Sequence, residues 1–334
     1  MFRGFPILFW YYSGEIIHWL LRADFRTIVA ASLKDMPVNK NIVGIDWGTS
    51  NRRAYLIDQS GACLAEHEDG QGMLAVGGRD QFGASLAGLL DAMQLPADVP
   101  VIMSGMVGSA SGWQEVDYLD ASVPLTQLPQ HLAAVTDPAW AGRATIVPGY
   151  VYRNGASSDV MRGEETQLLG AVAQGHRDGW LVLPGTHSKW VLLRDGVIQS
   201  FATYMTGELF SMLSKGGTLS SMMGGDSADA DGFATGLNQA ARNEPLSNSL
   251  FRVRAGVVSR AAPAQQAAAT VSGLLIGAEF AAAARAAEGQ GIAVIGSPAL
   301  AARYALAAQH FGLNCTVLDP HAVYCTAISQ FLKA

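Results

Sequence analysis

Two short turns of small residues stand out as groups that could do chemistry, one in each half of the sequence. Residues 48–50 read Gly-Thr-Ser and residues 185–188 read Gly-Thr-His-Ser. Each turn follows an apolar run, and an aspartate, Asp58 or Asp195, lies ten residues after its glycine. In such turns backbone N–H groups and hydroxyls converge without side-chain obstruction, which favours phosphate binding. The internal repeat therefore predicts two facing hairpins that hold one nucleotide.

A carboxylate lies beside the first turn. Asp46 ends an apolar strand two residues before Gly48, where it could hold a metal ion or act only as a turn aspartate. Mg²⁺ keeps several waters and takes one or two protein carboxylates, so a single aspartate beside a phosphate turn is adequate. We therefore predict that Asp46 binds Mg²⁺.

The segment 158–167 contains three carboxylates and one arginine just before the second hairpin. Phosphoryl transfer requires positioning, charge neutralisation and a carboxylate that accepts the proton of the attacking hydroxyl. Asp159 and Glu164 are candidates for that base, although acidic residues here could simply favour a helix N-terminus. The predicted catalytic residues are Asp46, Glu164 and Asp159.

Other residues are candidates for contacts with ATP and an acceptor. Arg52 and Arg53 point to opposite faces of a strand, so one of them can reach a cleft. A loop of small residues after residue 103, beside an aromatic residue, could form one wall of the acceptor site. A helix begins after Gly296, and its N-terminal N–H groups could contact a nucleotide. The predicted substrate-binding residues are Arg52, Ser104, Gly105, Met106, Trp113, Arg162 and Glu165. The predicted nucleotide-binding residues are Gly48, Thr49, Ser50, Gly185, Thr186, His187, Ser188, Lys189, Gly296 and Ser297.

The surrounding pattern indicates an α/β protein. Residues 42–65 and 180–201 each read as a three-strand meander, and helical spacing follows the first at 80–95 and precedes the second at 164–176. Residues 105–130 read as a loop-dominated segment, and 206–285 as a largely helical one. Short strands at 292–295 and 315–318 alternate with the last helices. At 334 residues the chain suits two lobes.

Composition limits the partners. A net charge of −6 offers no basic field for nucleic acid, so small molecules are favoured. The cysteines, Cys63, Cys315 and Cys325, form no CxxC pair and read as buried thiols of a reducing compartment, and the histidines show no zinc-ligand spacing. Residues 5–12 are apolar but too short to span a bilayer. We predict that residues 1–40 form a leader and that translation starts at Met36, which would place residues 1–35 outside the native protein.

The motifs also resemble those of a known superfamily. Residues 44–51 and 183–190 are similar to the two phosphate motifs of actins, sugar kinases and heat-shock ATPases. More narrowly, residues 46–55, 104–112, 159–167 and 184–190 together resemble the 2-dehydro-3-deoxygalactonokinase family. In many of these sugar kinases an Asp precedes the helix before the second phosphate motif, and Glu164 or Asp159 is the nearest match.

This resemblance implies a two-lobed ribonuclease-H-like fold, with lobes at 41–160 and 161–334 and ATP in the cleft between them. It implies a cytoplasmic enzyme that uses Mg-ATP to phosphorylate the 6-hydroxyl of 2-dehydro-3-deoxy-D-galactonate. The oligomeric state stays open, with a homo-oligomer among the alternatives. Three alternatives stay open. They are a kinase of another sugar or sugar acid, an ATP-driven binding protein of the chaperone type, and a phosphohydrolase that uses water as acceptor.

Overall fold

The structure is a computed structural model that describes residues 41–96, 98–287 and 290–333. The predicted leader at 1–40 lies outside the described residues. The strands are β1 (Ile42–Trp47), β2 (Arg52–Ile57), β3 (Cys63–Asp69), β4 (Val101–Gly105), β5 (Leu119–Asp120), β6 (Ala133–Ala134), β7 (Ala144–Ile146), β8 (Tyr150–Asn154), β9 (Ser157–Met161), β10 (Gly179–Leu183), β11 (Ser188–Arg194), β12 (Val197–Tyr204), β13 (Ile292–Ile295) and β14 (Cys315–Leu318). The α-helices are α1 (Phe82–Ala92), α2 (Glu164–Ala173), α3 (Thr206–Lys215), α4 (Ala230–Ala241), α5 (Leu246–Val258), α6 (Ala267–Ala283), α7 (Pro298–His310) and α8 (Pro320–Phe331).

The first half of the chain forms a six-stranded sheet with the order β3-β2-β1-β4-β7-β6. The strands β1, β2 and β3 are the predicted antiparallel meander, while β4 and β7 join β1 in parallel. The register places Asp46 between Arg53 of β2 and Ser104 of β4. The last residues of β1 therefore reach the same sheet edge as the last residues of β4.

The second half repeats this arrangement in a five-stranded sheet with the order β12-β11-β10-β13-β14. An antiparallel meander of β10, β11 and β12 is again joined by parallel strands, here β13 and β14. Both sheets thus follow one plan, with three meander strands and then two parallel strands, and the first sheet carries one further antiparallel strand, β6, at its edge. The predicted ribonuclease-H-like repeat is confirmed, and the glycine turns that suggested it connect the first two strands of each meander.

The hydrophobic core has separate parts for each sheet and a shared part between them. One cluster lies on the first sheet with α1, and another on the second sheet with α6 and α7. A third cluster joins residues of β1, β2, β10 and β11 to α2 and α8. The approach of α8 to β1 requires Gly44, since a Cβ there would lie 2.6 Å from Cγ1 of Ile328. The C-terminal helix therefore packs on the N-terminal sheet.

Two regions differ in detail from the sequence pattern. The segment predicted as a loop at 105–130 contains short 3₁₀ helices at Met106–Gly108 and Leu125–His131 and the strand β5. With β8 and β9, β5 forms a separate three-stranded sheet. Among the described helices, one at Ala264–Ala283 is long and apolar enough to cross a membrane, but 78% of its apolar window is buried inside the fold. This burial is typical of a core helix.

Candidate active site

Asp46 is a half-buried carboxylate at the end of β1. It makes no hydrogen bond or ion pair with any residue that the structure describes. Burial raises the pKa of Asp46 to about 6; the positive charge of Arg53 acts against this rise, and the negative charge of Glu164 adds to it. Gly105, at a φ of 90°, lies beside this carboxylate, and glycine is needed there because an added Cβ would lie 2.8 Å from the carbonyl oxygen of Trp47.

Glu164 begins α2 beside Asp46. The preceding Gly163 packs on the end of β4, where a Cβ would lie 3.2 Å from Cα of Gly105. The backbone N–H of Arg162 donates to Oε2 of Glu164 at 3.0 Å, and Nζ of Lys189 lies 3.6 Å from Oε1. Asp46, Glu164 and Lys189 therefore bring charged groups from both sheets to one place.

Residues 72–74 hold the first turn, residues 48–50, in place through backbone hydrogen bonds. The N–H groups of Gly72, Met73 and Leu74 donate to the carbonyls of residues 50, 48 and 49 respectively. A Cβ on Gly72 would lie 2.3 Å from the backbone carbon of Ser50, so this contact requires glycine. The N–H groups of Thr49 and Ser50 have no acceptor in the described part of the chain, and both residues are exposed. Their donors are available to a ligand.

The second turn has the same kind of support. Gly207, in the first turn of α3, would place a Cβ 2.3 Å from the carbonyl oxygen of Gly185. The N–H of Glu208 donates to the carbonyl of Thr186 at 2.9 Å, and the Glu208 carboxylate contacts Nε2 of His187 at 2.6 Å. The backbone N–H groups of Thr186 and His187 have no acceptor among the residues described. Both turns therefore point free donors outward.

A buried carboxylate that the sequence analysis missed anchors the second turn. Glu279 of α6 is 1% exposed and accepts four hydrogen bonds of 2.5 to 2.8 Å. The donors are Ser188 Oγ, Trp190 Nε1, Thr206 Oγ1 and Tyr304 OH. They come from β11, from α3 and from α7, so Glu279 ties the elements around the turn together. The sequence signal that could have identified Glu279 is the presence of a glutamate within an Ala-rich apolar helix.

For several predicted ligand contacts the structure shows other partners. Arg52 is 3% exposed and pairs with Asp69 at 2.7 Å, with its other donors on Ser85, so its guanidinium faces the core. Arg53 is the arginine whose charge acts on Asp46. Ser188 is fully buried and donates its hydroxyl to Glu279, which excludes that hydroxyl as a phosphate ligand in this conformation.

Three more predicted side chains have partners within the fold. Trp113 packs against the rings of Phe82 and Trp140, and the surface depression that it lines does not include Asp46. Ser104 is fully buried, with its hydroxyl 3.1 Å from that of Tyr324. Glu165 is also fully buried and accepts the N–H of Gly163 at 2.6 Å. In this structure these three side chains are therefore engaged by other parts of the chain.

Asp159, the second candidate base, is also engaged elsewhere. One carboxylate oxygen accepts the N–H of Thr203 at 2.7 Å and the other accepts the Thr203 hydroxyl at 2.6 Å. This pair links β9 to β12, so Asp159 fastens the small sheet to the second large sheet. Of the two predicted bases, Glu164 is the one that lies beside Asp46.

The remaining predicted residues lie around the site. Met106 is half-buried in the 3₁₀ turn after β4. Arg162 donates to the carbonyl of Val116 at 2.6 Å and lies 4.2 Å over the ring of Tyr118. Gly296 approaches the second turn, because a Cβ there would lie 2.9 Å from Cγ of Pro184, and the exposed Ser297 precedes α7.

The repeated topology and the two supported turns on either side of Asp46 and Glu164 define a class. This chain is a two-lobed phosphotransferase of the actin and sugar kinase type. Comparison with known proteins narrows the class. The model of the 2-keto-3-deoxy-galactonokinase family matches residues 46–331. The chain belongs to this family and is a carbohydrate kinase.

Individual relatives agree with the family. A protein of Rhizobium meliloti named as a probable 2-dehydro-3-deoxygalactonokinase is 38% identical, covering 87% of this chain and 96% of the relative. The 2-dehydro-3-deoxygalactonokinase of Escherichia coli is 34% identical, covering 87% and 97%. A crystal structure assigned to such a kinase from Sinorhizobium meliloti superimposes with a TM-score of 0.80 at 34% identity, covering 87% of this chain and 96% of that one.

Proposed function

We propose that this kinase transfers the γ-phosphoryl group of ATP to the 6-hydroxyl of 2-dehydro-3-deoxy-D-galactonate, giving the 6-phosphate and ADP. The observation that supports this most directly is the position of Asp46, an unpartnered carboxylate beside Glu164 and between two turns with free N–H donors. The net charge of −6 gives no basic field for nucleic acid, and we propose a cytoplasmic enzyme that acts on small molecules.

The two turns would hold the phosphates. Free N–H groups at Thr49 and Ser50 in one lobe, and at Thr186 and His187 in the other, offer backbone donors that carry no charge of their own and match phosphate oxygens. Gly296 and the N-terminus of α7 lie beside the second turn, on the side where we place the adenosine. This arrangement aligns ATP across the two lobes.

Asp46 fits a magnesium site. Its carboxylate has no hydrogen-bond or ion-pair partner in the described part of the chain, and one carboxylate beside phosphate oxygens satisfies a cation that retains most of its waters. When bound, Mg²⁺ would neutralise phosphate charge. The chain itself supplies Lys189, whose ammonium lies 3.6 Å from Glu164 and offsets the negative charge gathered at this point.

Glu164 is the proposed general base. The acceptor oxygen forms a bond to the γ-phosphorus, the bond from that phosphorus to the bridging oxygen of ADP breaks, and the hydroxyl proton passes to the Glu164 carboxylate. The N–H of Arg162 holds this carboxylate in place at 3.0 Å. Removal of a general base typically lowers the rate by about 10²- to 10⁴-fold.

The acceptor would lie against the turn after β4, near Gly105 and Met106. Nε and Nη1 of Arg162 are buried and have no hydrogen-bond partner among the described residues. Unpaired buried donors cost free energy, so an acceptor that reaches them is favoured. The carboxylate of a sugar acid offers such oxygens, and a small opening of the loop at Val116 would expose Arg162 to it.

Two variants separate catalysis from structure in the same segment. Glu164→Gln should lower kcat by about 10²-fold or more while binding of ATP, measured by calorimetry, is kept. Asp159→Asn is the matched control, because it removes a carboxylate that pairs with Thr203, and it should lower the melting temperature with little effect on kcat. If Asp159→Asn loses kcat while Glu164→Gln retains it, the assignment of the base is wrong.

A further inference from the structure

A cluster of potential metal ligands lies apart from the phosphate turns. Cys63 begins β3, an edge strand of the first sheet, and His321 and Cys325 are one helical turn apart on α8. The sulfur atoms of the two cysteines and a ring nitrogen of His321 all lie within 4.8 Å of one another. Residues more than 250 positions apart in sequence are thus brought to one point. Sequence spacing alone gave no sign of this cluster.

The residue types suit a thiophilic divalent cation. Two thiolates and one imidazole are ligands that Zn²⁺ prefers, and their separation is close to that needed around a single ion. Oxygen-seeking cations such as Mg²⁺ are disfavoured by two sulfur ligands. The cluster therefore differs in chemistry from the Asp46 site.

The imidazole is already oriented for such a role. Nδ1 of His321 lies 3.2 Å from Oε2 of Glu66 on β3, and the His321 ring meets the ring of Tyr55 edge-on at 4.8 Å. A carboxylate on one ring nitrogen fixes the tautomer and leaves the other nitrogen for a metal. Cys325 is buried, whereas Cys63 and His321 are partly exposed, so the cluster has an open side for water.

We propose that Cys63, His321 and Cys325 bind one Zn²⁺ ion, with water in the fourth position and Glu66 supporting His321. Binding displaces one proton from each thiol, which leaves two thiolates on the metal. The site would fasten α8 to β3. The same helix places the Tyr324 hydroxyl 3.1 Å from Ser104, the residue that pairs with Asp46 in the sheet. The metal would thus hold α8 against β3 and so stabilise the helix that contacts Ser104 beside Asp46.

Cobalt titration of the reduced, metal-free full chain tests this directly. We expect one equivalent of Co²⁺ to give a thiolate-to-cobalt charge-transfer band and the visible bands of a tetrahedral site, and Zn²⁺ to displace them. Cys63→Ser and His321→Ala should weaken or abolish these bands. Cys315→Ser is the matched control, since Cys315 is a half-buried thiol on β14 outside the cluster, and it should leave them intact.

A second measurement keeps the test decisive if the buried Cys325 cannot be replaced without unfolding. Zn²⁺ should raise the melting temperature of the wild-type chain and of Cys315→Ser but leave that of Cys63→Ser unchanged. Absence of tetrahedral bands in folded protein would overturn the proposal. So would bands that persist in Cys63→Ser, or bands lost in Cys315→Ser. A Cys63–Cys325 disulfide in freshly purified protein that carries no zinc would also overturn it.

Discussion

Asp46 is held partly protonated near neutral pH by its burial, and this has a consequence for activity. With a pKa of about 6 the carboxylate is half ionised at that pH and mostly ionised above it, and the proposed metal site needs the ionised form. We expect kcat/KM, measured with Mg²⁺ and ATP kept subsaturating so that Asp46 of the free enzyme is metal-free, to rise as pH increases through about 6 and then to level off.

Arg53 offers a control for this pH dependence. Its positive charge lowers the pKa of Asp46, so Arg53→Gln should move the rise in kcat/KM to higher pH. A profile that is flat through this range, or one that moves to lower pH in Arg53→Gln, would show that another group limits the reaction.

At the scale of residues, sequence predicted where some candidate groups lie and missed others. Asp46 could be predicted because it lies at the end of an apolar strand just before a recognisable glycine turn. Glu164 could be predicted because it begins a helix just before the second hairpin. Strand alternation placed Arg52 and Arg53 on opposite faces, but it does not say which face meets the cleft. Only the ion pair of Arg52 with Asp69 decides this. The role of Glu279 depends on three other elements and had no local signal beyond its apolar helix.

The phosphate turns depend on glycines that lie outside them. Gly72→Ala and Gly207→Ala should each raise the KM for ATP at least about tenfold, which corresponds to about 1.4 kcal/mol. The reason is that each new Cβ would lie 2.3 Å from turn backbone, so the free N–H groups must move. Steady-state kinetics at saturating acceptor measures this.

Matched glycines provide the comparison. Gly77 and Gly224 have no heavy atom within 4 Å of an added Cβ, so Gly77→Ala and Gly224→Ala should leave the KM for ATP unchanged. If the KM for ATP rises equally in all four variants, the contacts of Gly72 and Gly207 with the phosphate turns have no special role.

The Glu279 network should set the stability of the second lobe. Glu279→Gln keeps one acceptor oxygen but turns an amide donor toward two of the four donors, and each buried group left unsatisfied costs about 1 to 3 kcal/mol. We expect the free energy of unfolding to fall by about 2 to 4 kcal/mol in urea denaturation. Ser272→Ala on the same helix, which loses a single 3.3 Å contact to Arg303, should cost less than about 1 kcal/mol. Similar losses in both variants would mean that the network contributes little.

At the scale of elements, the two meanders were predictable because turn residues separate short apolar runs. The predicted helices at 80–95 and 164–176 are confirmed as α1 and α2. The helix α1 begins later and ends earlier than predicted, and α2 ends earlier. The small sheet of β5, β8 and β9 was not predicted, since its strands have two to five residues and β5 pairs with a strand far along the chain. The packing of α8 on β1 is likewise a long-range contact.

For the whole molecule, groups from both lobes must meet for transfer to occur, and this predicts closure. Asp46 of the first lobe already lies close enough to Glu164 of the second for their charges to interact, and we propose that the turns in the two lobes hold opposite ends of the phosphate chain. We expect small-angle scattering to show a smaller radius of gyration with both a non-hydrolysable ATP analogue and the sugar acid than with neither. Asp46→Asn should close less. An unchanged radius with both ligands bound would contradict closure.

The two-lobed organisation followed from length and from the repeated turn, and the matching strand orders confirm it. The boundary near residue 160 stays a prediction, because α8 returns from the second half of the chain to the first sheet. Sequence periodicity reports local structure and cannot reveal such a return.

The central claim is best tested by ATP consumption with Mg²⁺ against a panel of acceptors. The panel contains 2-dehydro-3-deoxy-D-galactonate, its gluconate epimer, galactonate, glycerol and no acceptor. We predict turnover that is selective for the first compound, with the phosphoryl group on its 6-hydroxyl. Turnover that is equal without acceptor, or that favours another compound, would contradict the proposed function.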